Sequence, residues 1–431
     1  MKRFKLLSIL MVCIFVMSGC SSGSNYANDK ELPKEDHAKE ITIEVRDATS
    51  FYMNAANKFE EETGVKVNVI NDYKEQSYNI EPATIERIQA ELMAGKGVDL
   101  YANTSLDYVK IGKNKHLCNL ANWIAEEPGF SDNAYYMNIL KSGFAEGDMY
   151  SVPLFMNFTS LCSTIEVPEL KGKSLSWEGF FALTKGIKRN GILYGISDQL
   201  LFIRRFNDTY KHFINVKNKT QYLDSPDMIK LLEQCKEWSR EGLCVPSDAE
   251  NFTELYGKSF FKDNYGRDMD RLVNFRFDDP NLDDEPYFYD MPSDSEKNDK
   301  SNMICPIDLI CINAASPYKG TAWKFVKFLL REDVQATGVC TPVNRKAATK
   351  HVKKSLDKTI SYYKLKVDEN KIIKESEAIL NDVNQNSMNI YPSDIEKIVI
   401  EEAKRFFENE ITAEAAAKNM ADRVALYFKE Q

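Results

Sequence analysis

The chain after residue 40 opens with a strand pattern, then a helix pattern, then a second strand pattern. Positions 41–45 alternate apolar and polar residues, and positions 65–69 do the same. Between them, positions 52–59 repeat apolar residues at the spacing of one helix face. Gly64 predicts the end of that helix, because glycine accepts the left-handed conformation of a helix C-terminus. This β-α-β order predicts a parallel sheet.

The same patterns predict further strands and helices along the rest of the chain. The predicted strands lie at 98–101, 158–165, 259–265 and 303–313. The predicted helices lie at 85–92, 106–111, 177–187, 229–238 and, with a break near 389–392, from 368 to the end. Ser316 and Pro317 predict one more helix start, with the serine as N-cap and the proline in the first turn. We therefore expect an α/β protein.

The composition is that of a chain that can bury large cores and does not bind nucleic acid. The 431 residues are 43% hydrophobic and 11% aromatic, and this length is enough for two domains. The formal net charge is −9, whereas binding of nucleic-acid phosphates needs clustered lysine and arginine. The same negative charge argues against peripheral binding to anionic lipid head groups, so attachment to a membrane requires a separate anchor.

The first twenty residues follow the pattern of an export signal. Basic residues precede the apolar run Leu6–Met17, and small residues follow it. The alternative is an uncleaved membrane anchor, but the run is shorter than the roughly 20 apolar residues that a spanning helix needs. The sequence Ser18-Gly19-Cys20 resembles the lipobox of bacterial lipoproteins, which implies lipid transfer to Cys20 and cleavage before it. We expect a signal peptide at 1–19, a flexible tether at 20–40, and a lipid-anchored location on the extracellular face of the cell membrane.

The cysteines and histidines do not form a metal-binding or redox motif. Seven of the nine cysteines follow Cys20, an odd number, and none is in C-x-x-C spacing. Cys235 and Cys244 are the one pair that we consider for a disulfide, and the sequence leaves that bridge open. The four histidines are scattered, so a zinc site and a cofactor are not expected. The acidic run 278–285 predicts a solvated loop; calcium binding stays open, although the EF-hand spacing is absent.

Several short motifs, in order along the chain, resemble the extracellular solute-binding proteins of family 1, which include the maltose-binding protein and its relatives. These motifs are FEEETGVKV at 59–67, LMAGKGVDL at 92–100, LSWEGF at 175–180, KEWSREG at 236–242, and INAASP at 312–317 with AWKF at 322–325. Each motif alone is weak evidence of membership. The resemblance rests on five of them in the family's order behind a lipobox, and it covers the chain from Ile41 to the C-terminus.

The resemblance implies a two-lobed fold of the type II periplasmic-binding-protein kind. Each lobe would be a mostly parallel sheet flanked by helices, and the lobes would be joined by a hinge that closes on a ligand. The N-terminal lobe would comprise 41–152 and 304–345, and the C-terminal lobe 153–303 and 346–431. The resemblance also implies a monomer that delivers a small solute, most often a carbohydrate, to the permease subunits of an ABC importer.

Candidate ligand-binding residues come from the strand ends and from the resemblance. In open α/β sheets, ligands bind at the carboxyl ends of strands, which selects Asp47, Asn103 and Thr104 after the first and third predicted strands. The resemblance adds Asn157 and Tyr265, at positions where relatives often carry a sugar-binding acid and a stacking aromatic. The alternatives are that Asp47 or Asn103 caps a helix and that Tyr265 belongs to the core.

Two departures from the family pattern leave the solute open. Asp263-Asn264 replaces the usual glycine pair before the stacking aromatic, and the pocket tryptophans of maltose-type relatives have no counterpart. Trp177, Trp238 and Trp323 have core-like spacing on predicted helices, so we interpret them as structural. Two other functions are considered: an exported glycan hydrolase, for which no carboxylate pair is marked by a motif, and a solute-sensing lipoprotein without a permease. We expect no catalytic residue and no enzymatic activity.

Overall fold

The computed structural model describes most of the chain after residue 30. The described residues are 31–46, 50–71, 82–102, 106–141, 144–145, 147–163, 166–171, 173, 175–185, 193–246, 261–266, 287–295, 303–363, 368–382, 385–386 and 392–430. Among these residues, no helix is both long enough and apolar enough to cross a membrane.

The described elements alternate between short strands and longer helices. The strands are β1 (Glu40–Val45), β2 (Lys66–Asn71), β3 (Leu100–Ala102), β4 (Phe144–Ala145), β5 (Asp148–Met149), β6 (Val152–Ser163), β7 (Leu193–Tyr194), β8 (Ile214–Asn215), β9 (Thr220–Gln221), β10 (Cys244–Val245), β11 (Phe261–Gly266), β12 (Tyr287–Tyr289), β13 (Met303–Ile312), β14 (Thr341–Pro342) and β15 (Gln385–Asn386). The helices are α1 (Ser50–Thr63), α2 (Pro82–Met93), α3 (Tyr108–Lys113), α4 (Ala121–Glu126), α5 (Met137–Leu140), α6 (Trp177–Lys185), α7 (Asp198–Phe213), α8 (Pro226–Arg240), α9 (Lys319–Leu329), α10 (Glu332–Gln335), α11 (Arg345–Tyr363), α12 (Glu369–Asp382), α13 (Ser393–Phe407) and α14 (Ala413–Glu430).

The predicted β-α-β unit is confirmed. Strand β1 pairs in parallel with β2 over its whole length and with β3 at its C-terminal end. Helix α1 connects β1 to β2 and buries Tyr52 and Phe59 on the face that the apolar spacing predicts. Gly64 follows α1 with φ of 74°, the left-handed conformation that a glycine takes without steric cost.

Two long strands run through the middle of the main sheet. The sheet has the strand order β10-β7-β11-β6-β13-β3-β1-β2. Strand β13 is antiparallel to β6, from Met303 opposite Thr159 to Ile310 opposite Val152. It also pairs with β3 through residues 310–312. Strand β6 is antiparallel to β11 and β13, and β13 is antiparallel to β3, whereas the short β15 pairs with β13 in parallel. The sheet is therefore mixed, with further parallel pairs on either side of these strands.

The buried apolar residues in the described part of the chain form three clusters. The first core surrounds α1 and α9, and the third core lies on the opposite face of the same strands. Leu100 and Ala102 belong to the first core, and Tyr101 between them belongs to the third, as the two-residue period of a strand requires. The second core contains residues from 161 to 291 and from 395 to 428. We call the part of the chain around the first and third cores the first lobe, and the part around the second core the second lobe.

The structure differs from the predicted lobe boundaries in one segment. We predicted residues 346–431 in the C-terminal lobe, but helices α11 and α12 bury Val352, Leu356, Ile372 and Leu380 in the first core. The reason is that β14, just before α11, pairs with β6 at Phe155 and Met156, which also belong to the first core. Only α13 and α14 of that predicted segment pack in the second core. The hinge positions themselves remain a prediction.

The predicted N-cap at Ser316 is wrong. Helix α9 begins at Lys319, after Tyr318. The Ser316 hydroxyl donates to the Asp99 carboxylate at 2.6 Å and accepts the Tyr318 backbone N–H at 3.0 Å. Ser316 therefore belongs to a turn before α9 that is linked to Asp99 at the start of β3.

The last part of the predicted flexible tether is bound to the first lobe. The Asp36 carboxylate accepts the backbone N–H of Thr321 at 3.0 Å, in the first turn of α9, and the Thr321 hydroxyl also donates to it. Lys324 forms a salt bridge with Glu35 at 2.6 Å. A carboxylate is favourable at this end of a helix because the exposed N–H groups carry partial positive charge. Residues 20–30 lie outside the described residues.

The structure decides the predictions about three tryptophans and one cysteine pair. Trp177, Trp238 and Trp323 are all buried, which confirms that they are structural. Cys235 and Cys244 are both buried free thiols, so the bridge that the sequence left open is not formed. The acidic run 278–285 lies outside the described residues.

Candidate ligand-binding cleft

The carboxyl ends of β1 and β3 lie side by side at one edge of the first lobe. Val45 is opposite Ala102 in the parallel register, and the backbone N–H of Arg46 donates to the Ala102 carbonyl at 3.3 Å. The predicted site residues Asp47, Asn103 and Thr104 follow directly in the sequence, and all three lie outside the described residues. The described ends of the two strands that precede these residues thus lie at the same edge.

The other two predicted residues lie on neighbouring strands at the passage between the lobes. Asn157 of β6 is opposite Cys305 of β13, and Tyr265 of β11 is opposite Thr159 of β6. Asn157 and Tyr265 are therefore diagonal neighbours on two paired strands, which places their Cα atoms about 7–8 Å apart. Their side chains are outside what the structure describes.

The structure adds Asp308, a residue that the sequence did not single out. Strand β13 pairs Ile310 with Ala102, so Asp308 lies two residues past the carboxyl end of β3, in the direction of the second lobe. Its side chain is partly exposed. It therefore lies at the same edge as the strand ends that precede Asp47 and Asn103. The signal for it in the sequence is a single acid within the apolar run 303–313.

The backbone of Asp308 is strained. Its φ is 50°, in the left-handed region, although its neighbours Ile307 and Leu309 continue the ladder with β6. Aspartate tolerates this conformation better than most residues, but it still costs about 1–2 kcal/mol in an L-residue. Strained residues of this kind cluster at ligand sites and switch regions. The strain makes Asp308 a candidate functional residue.

A second unusual group near Asp308 is the buried hydroxyl of a tyrosine. Tyr52, in the first turn of α1, is 1% exposed, and its hydroxyl has no hydrogen-bond partner among the described residues. Burial raises the pKa of Tyr52 well above its ordinary value, and the nearby charge of Asp308 raises it further. Tyr108, the other phenol near Tyr52, donates to the Leu309 carbonyl at 3.4 Å. A buried hydroxyl without a partner requires an explanation, since such groups are nearly always paired.

The chemistry at this edge is that of hydrogen bonding to a polar molecule. A carboxylate at Asp308 and the neighbouring phenols supply acceptors and donors, and the predicted residues would add amide and carboxylate groups. No group of three or more potential metal ligands comes together within the described ranges.

Solved structures with the same fold cover nearly all of the chain. A solute-binding protein of an ABC transporter from Thermotoga lettingae, solved with alpha-D-tagatose, has 17% identity and a TM-score of 0.55 over 91% of this chain and 100% of that one. The sugar-binding protein MalE from Xanthomonas citri has 14% identity and a TM-score of 0.62 over 91% and 98%. A Listeria monocytogenes ABC substrate-binding protein in complex with cycloalternan has 13% identity and a TM-score of 0.57 over 91% and 100%.

These matches confirm the predicted fold, a two-lobed α/β structure with flanking helices. At such low identity they show the fold alone. No curated protein matches the chain by sequence. The family model described as bacterial extracellular solute-binding protein matches residues 54–359, well over half of the chain. The chain therefore belongs to the family of bacterial extracellular solute-binding proteins, as its motifs predicted.

Proposed function

We propose that this protein binds a sugar or a similar polyhydroxylated solute between its two lobes and delivers it to the permease of an ABC importer. The main support is that three strands meet at one edge of the first lobe. The carboxyl ends of β1 and β3 lie there beside β13, near its residue Asp308. Similar proteins were solved with tagatose and with cycloalternan bound, which favours a carbohydrate here.

In this proposal the two lobes contribute different groups to the ligand. Asp47, Asn103 and Thr104 would act from the first lobe, and Asn157 and Tyr265 from the second. Carboxylate and amide groups hydrogen-bond to hydroxyls, and an aromatic face packs on the C–H surface of a sugar. We add Asp308 as an acceptor between the two sets. Hinge closure would then bury the ligand between opposite walls.

We further propose that the protein is held at the extracellular face of the cell membrane by a lipid on Cys20. The Ser18-Gly19-Cys20 motif supports this anchor, and the family's extracellular location is consistent with it. The docked residues Glu35 and Asp36 would then fix the point at which the tether leaves the first lobe.

A thermal-shift screen tests the binding proposal. The purified protein is heated with tagatose, maltose and cycloalternan, and with amino acids as non-sugar controls. A ligand at a hundred times its Kd stabilises the native state by about 2.7 kcal/mol, so a specific sugar should raise the Tm clearly. A shift with an amino acid and none with any sugar would contradict the proposed solute class.

The same samples distinguish binding from catalysis. We expect the sugar to be recovered unchanged after prolonged incubation, because a solute-binding protein captures its ligand without turnover. Hydrolysis of cycloalternan or maltose that is lost on substitution of one acid would instead support the glycan hydrolase. Permease genes beside this one would favour import, and a histidine kinase gene would favour the sensing function.

A further inference from the structure

A salt bridge joins the two lobes. The Lys110 Nζ lies 2.8 Å from the Asp394 carboxylate oxygen Oδ2. Lys110 is on α3, whose Tyr108 and Ile111 are buried in the third core. Asp394 is in the first turn of α13, whose Ile395 belongs to the second core. The pair therefore connects elements that are otherwise held in separate cores.

We infer that Lys110 and Asp394 are positioning residues that hold the two lobes in a closed arrangement and thereby prolong the stay of a bound ligand. The salt bridge joins the lobes whether or not a ligand is bound. Its effect on the residence of a ligand rests on the proposed function.

The position of the pair suits this role. Helix α3 follows β3 in the chain, after the carboxyl end where the candidate residues Asn103 and Thr104 occur. Lys110 is the third residue of the six-residue helix α3, so it lies close in the chain to that carboxyl end. Among the described strands, β6 and β13 cross between the lobes, and neither residue belongs to them, although the chain passes between the lobes again before α13. A contact away from the crossing strands can form and break as the lobes rotate.

The groups around the pair favour a cation at position 110. The Asp107 carboxylate accepts the backbone N–H of Lys110 at 2.9 Å and caps α3. Tyr427 of α14 approaches from the second lobe, and burial raises its pKa. The hydrogen bond to Asp394 raises the pKa of Lys110, with smaller contributions from Tyr427 and Asp107. The lysine thus stays charged across the ordinary pH range and faces negative groups on both lobes.

The expected size of the effect is modest. Both side chains are 47% exposed, and exposed pairs of this kind change an equilibrium by at most about fivefold. Reversing one charge also introduces repulsion, because position 110 would then face Asp394 and Asp107 with like charge. We therefore expect a shift toward the open arrangement of about three- to tenfold for Lys110→Glu.

The distance between the lobes tests the inference without any ligand. Spin labels are attached to encoded non-natural residues at Glu61 on α1 and Lys230 on α8, both exposed and in different lobes. Pulsed electron paramagnetic resonance then measures the distance distribution. Lys110→Glu and Asp394→Lys should each increase the population of the longer distance, and the double reversal should restore the shorter one.

A matched pair within one lobe serves as the control. Lys418 and Asp422 form a 2.6 Å salt bridge on the exposed side of α14, entirely within the second lobe. Lys418→Glu should leave the distance distribution as in the unmodified protein. Unchanged distances in both Lys110→Glu and Asp394→Lys, or a double reversal that is as open as the single variants, would overturn the inference.

The consequence for the ligand is measured by stopped-flow dissociation of whichever of tagatose, maltose or cycloalternan binds. Lys110→Glu should raise the dissociation rate about three- to tenfold, and the double reversal should bring it back. An unchanged rate in a variant whose lobes have opened would overturn the role in ligand residence. If none of these sugars binds, the proposed solute class fails, and the distance measurement still decides whether the pair holds the lobes together.

Discussion

The carboxyl group of Asp208, in the second lobe, makes the free energy of unfolding depend on pH. It lies on α7, where its carboxylate accepts the backbone N–H of Asp294 at 3.0 Å. Burial raises its pKa from 3.8 to about 7, and this outweighs the hydrogen bonds from Asp294 and Ser293, which lower it. The folded protein therefore favours a protonated Asp208 well above the pH at which an exposed aspartate ionises.

The sign of the effect on stability follows from proton binding. Between about pH 4 and pH 7 the folded state binds a proton at Asp208 that the unfolded state has lost. The free energy of unfolding therefore falls as the pH rises through this window, and it levels off above pH 7. One pKa unit corresponds to about 1.4 kcal/mol, so the loss amounts to about 4 kcal/mol at most.

The substitution Asp208→Asn tests this account. Asparagine keeps an oxygen for the Asp294 N–H but cannot ionise, so we expect the variant to be more stable than the unmodified protein by about 2–4 kcal/mol at pH 8 and nearly equal to it at pH 4. Urea unfolding followed by circular dichroism at both pH values measures the difference. Asp224→Asn, an exposed change in the same lobe, is the control.

Two outcomes would contradict a raised pKa at Asp208. If Asp208→Asn is less stable than the unmodified protein at pH 8, the ionised carboxylate stabilises the fold and its pKa is not raised. An equal difference at pH 4 and pH 8 would show that the substitution acts through packing rather than through ionisation.

Three further predictions concern the cleft, the docked segment and the anchor. Asp308→Asn should keep the native Tm because asparagine tolerates a left-handed φ, whereas Asp308→Val should lower the free energy of unfolding by about 1–2 kcal/mol; calorimetric melting compares the two. Gly320→Ala would make a Cβ clash with the Lys34 carbonyl oxygen, so hydrogen exchange at residues 34–38 should become faster, whereas Gly129→Ala, with open space around it, should change nothing there. Cys20→Ala should abolish lipid attachment, as mass spectrometry of the membrane fraction would show; a lipidated variant would contradict the lipobox interpretation.

The sequence predicts the local elements well because their patterns depend only on neighbouring residues. The β-α-β unit around α1 and the parallel pairing of β1 with β2 follow from alternation and helix spacing. Helices from residue 368 to the end are also predicted, whereas α11 is not. An amphipathic pattern does not say which core a helix covers, so the packing of α11 and α12 in the first core is visible only in the structure.

The residues of the candidate site are harder to predict from the sequence than the helices and strands are. The rule about strand ends selects Asp47 and Asn103, and the structure describes only the strand ends that precede them. Asp308 was missed because a lone acid in an apolar strand has no distinctive spacing, and its strain is visible only in the backbone conformation. The Lys110–Asp394 pair was also beyond prediction, since it joins residues 284 positions apart on two different lobes.

Isothermal titration calorimetry decides whether the ligand is bound by Asn157 and Tyr265. The sugar with the largest thermal shift is titrated into the unmodified protein, Asn157→Ala, Tyr265→Ala and the surface controls Asn218→Ala and Tyr222→Ala, which are exposed in the second lobe. Loss of a buried hydrogen-bond partner costs about 1–3 kcal/mol, so Asn157→Ala should weaken binding about tenfold or more, with little change in the ligand-free Tm. The controls should bind as the unmodified protein does. Unchanged affinity in both Asn157→Ala and Tyr265→Ala would contradict a ligand site at the passage between the lobes.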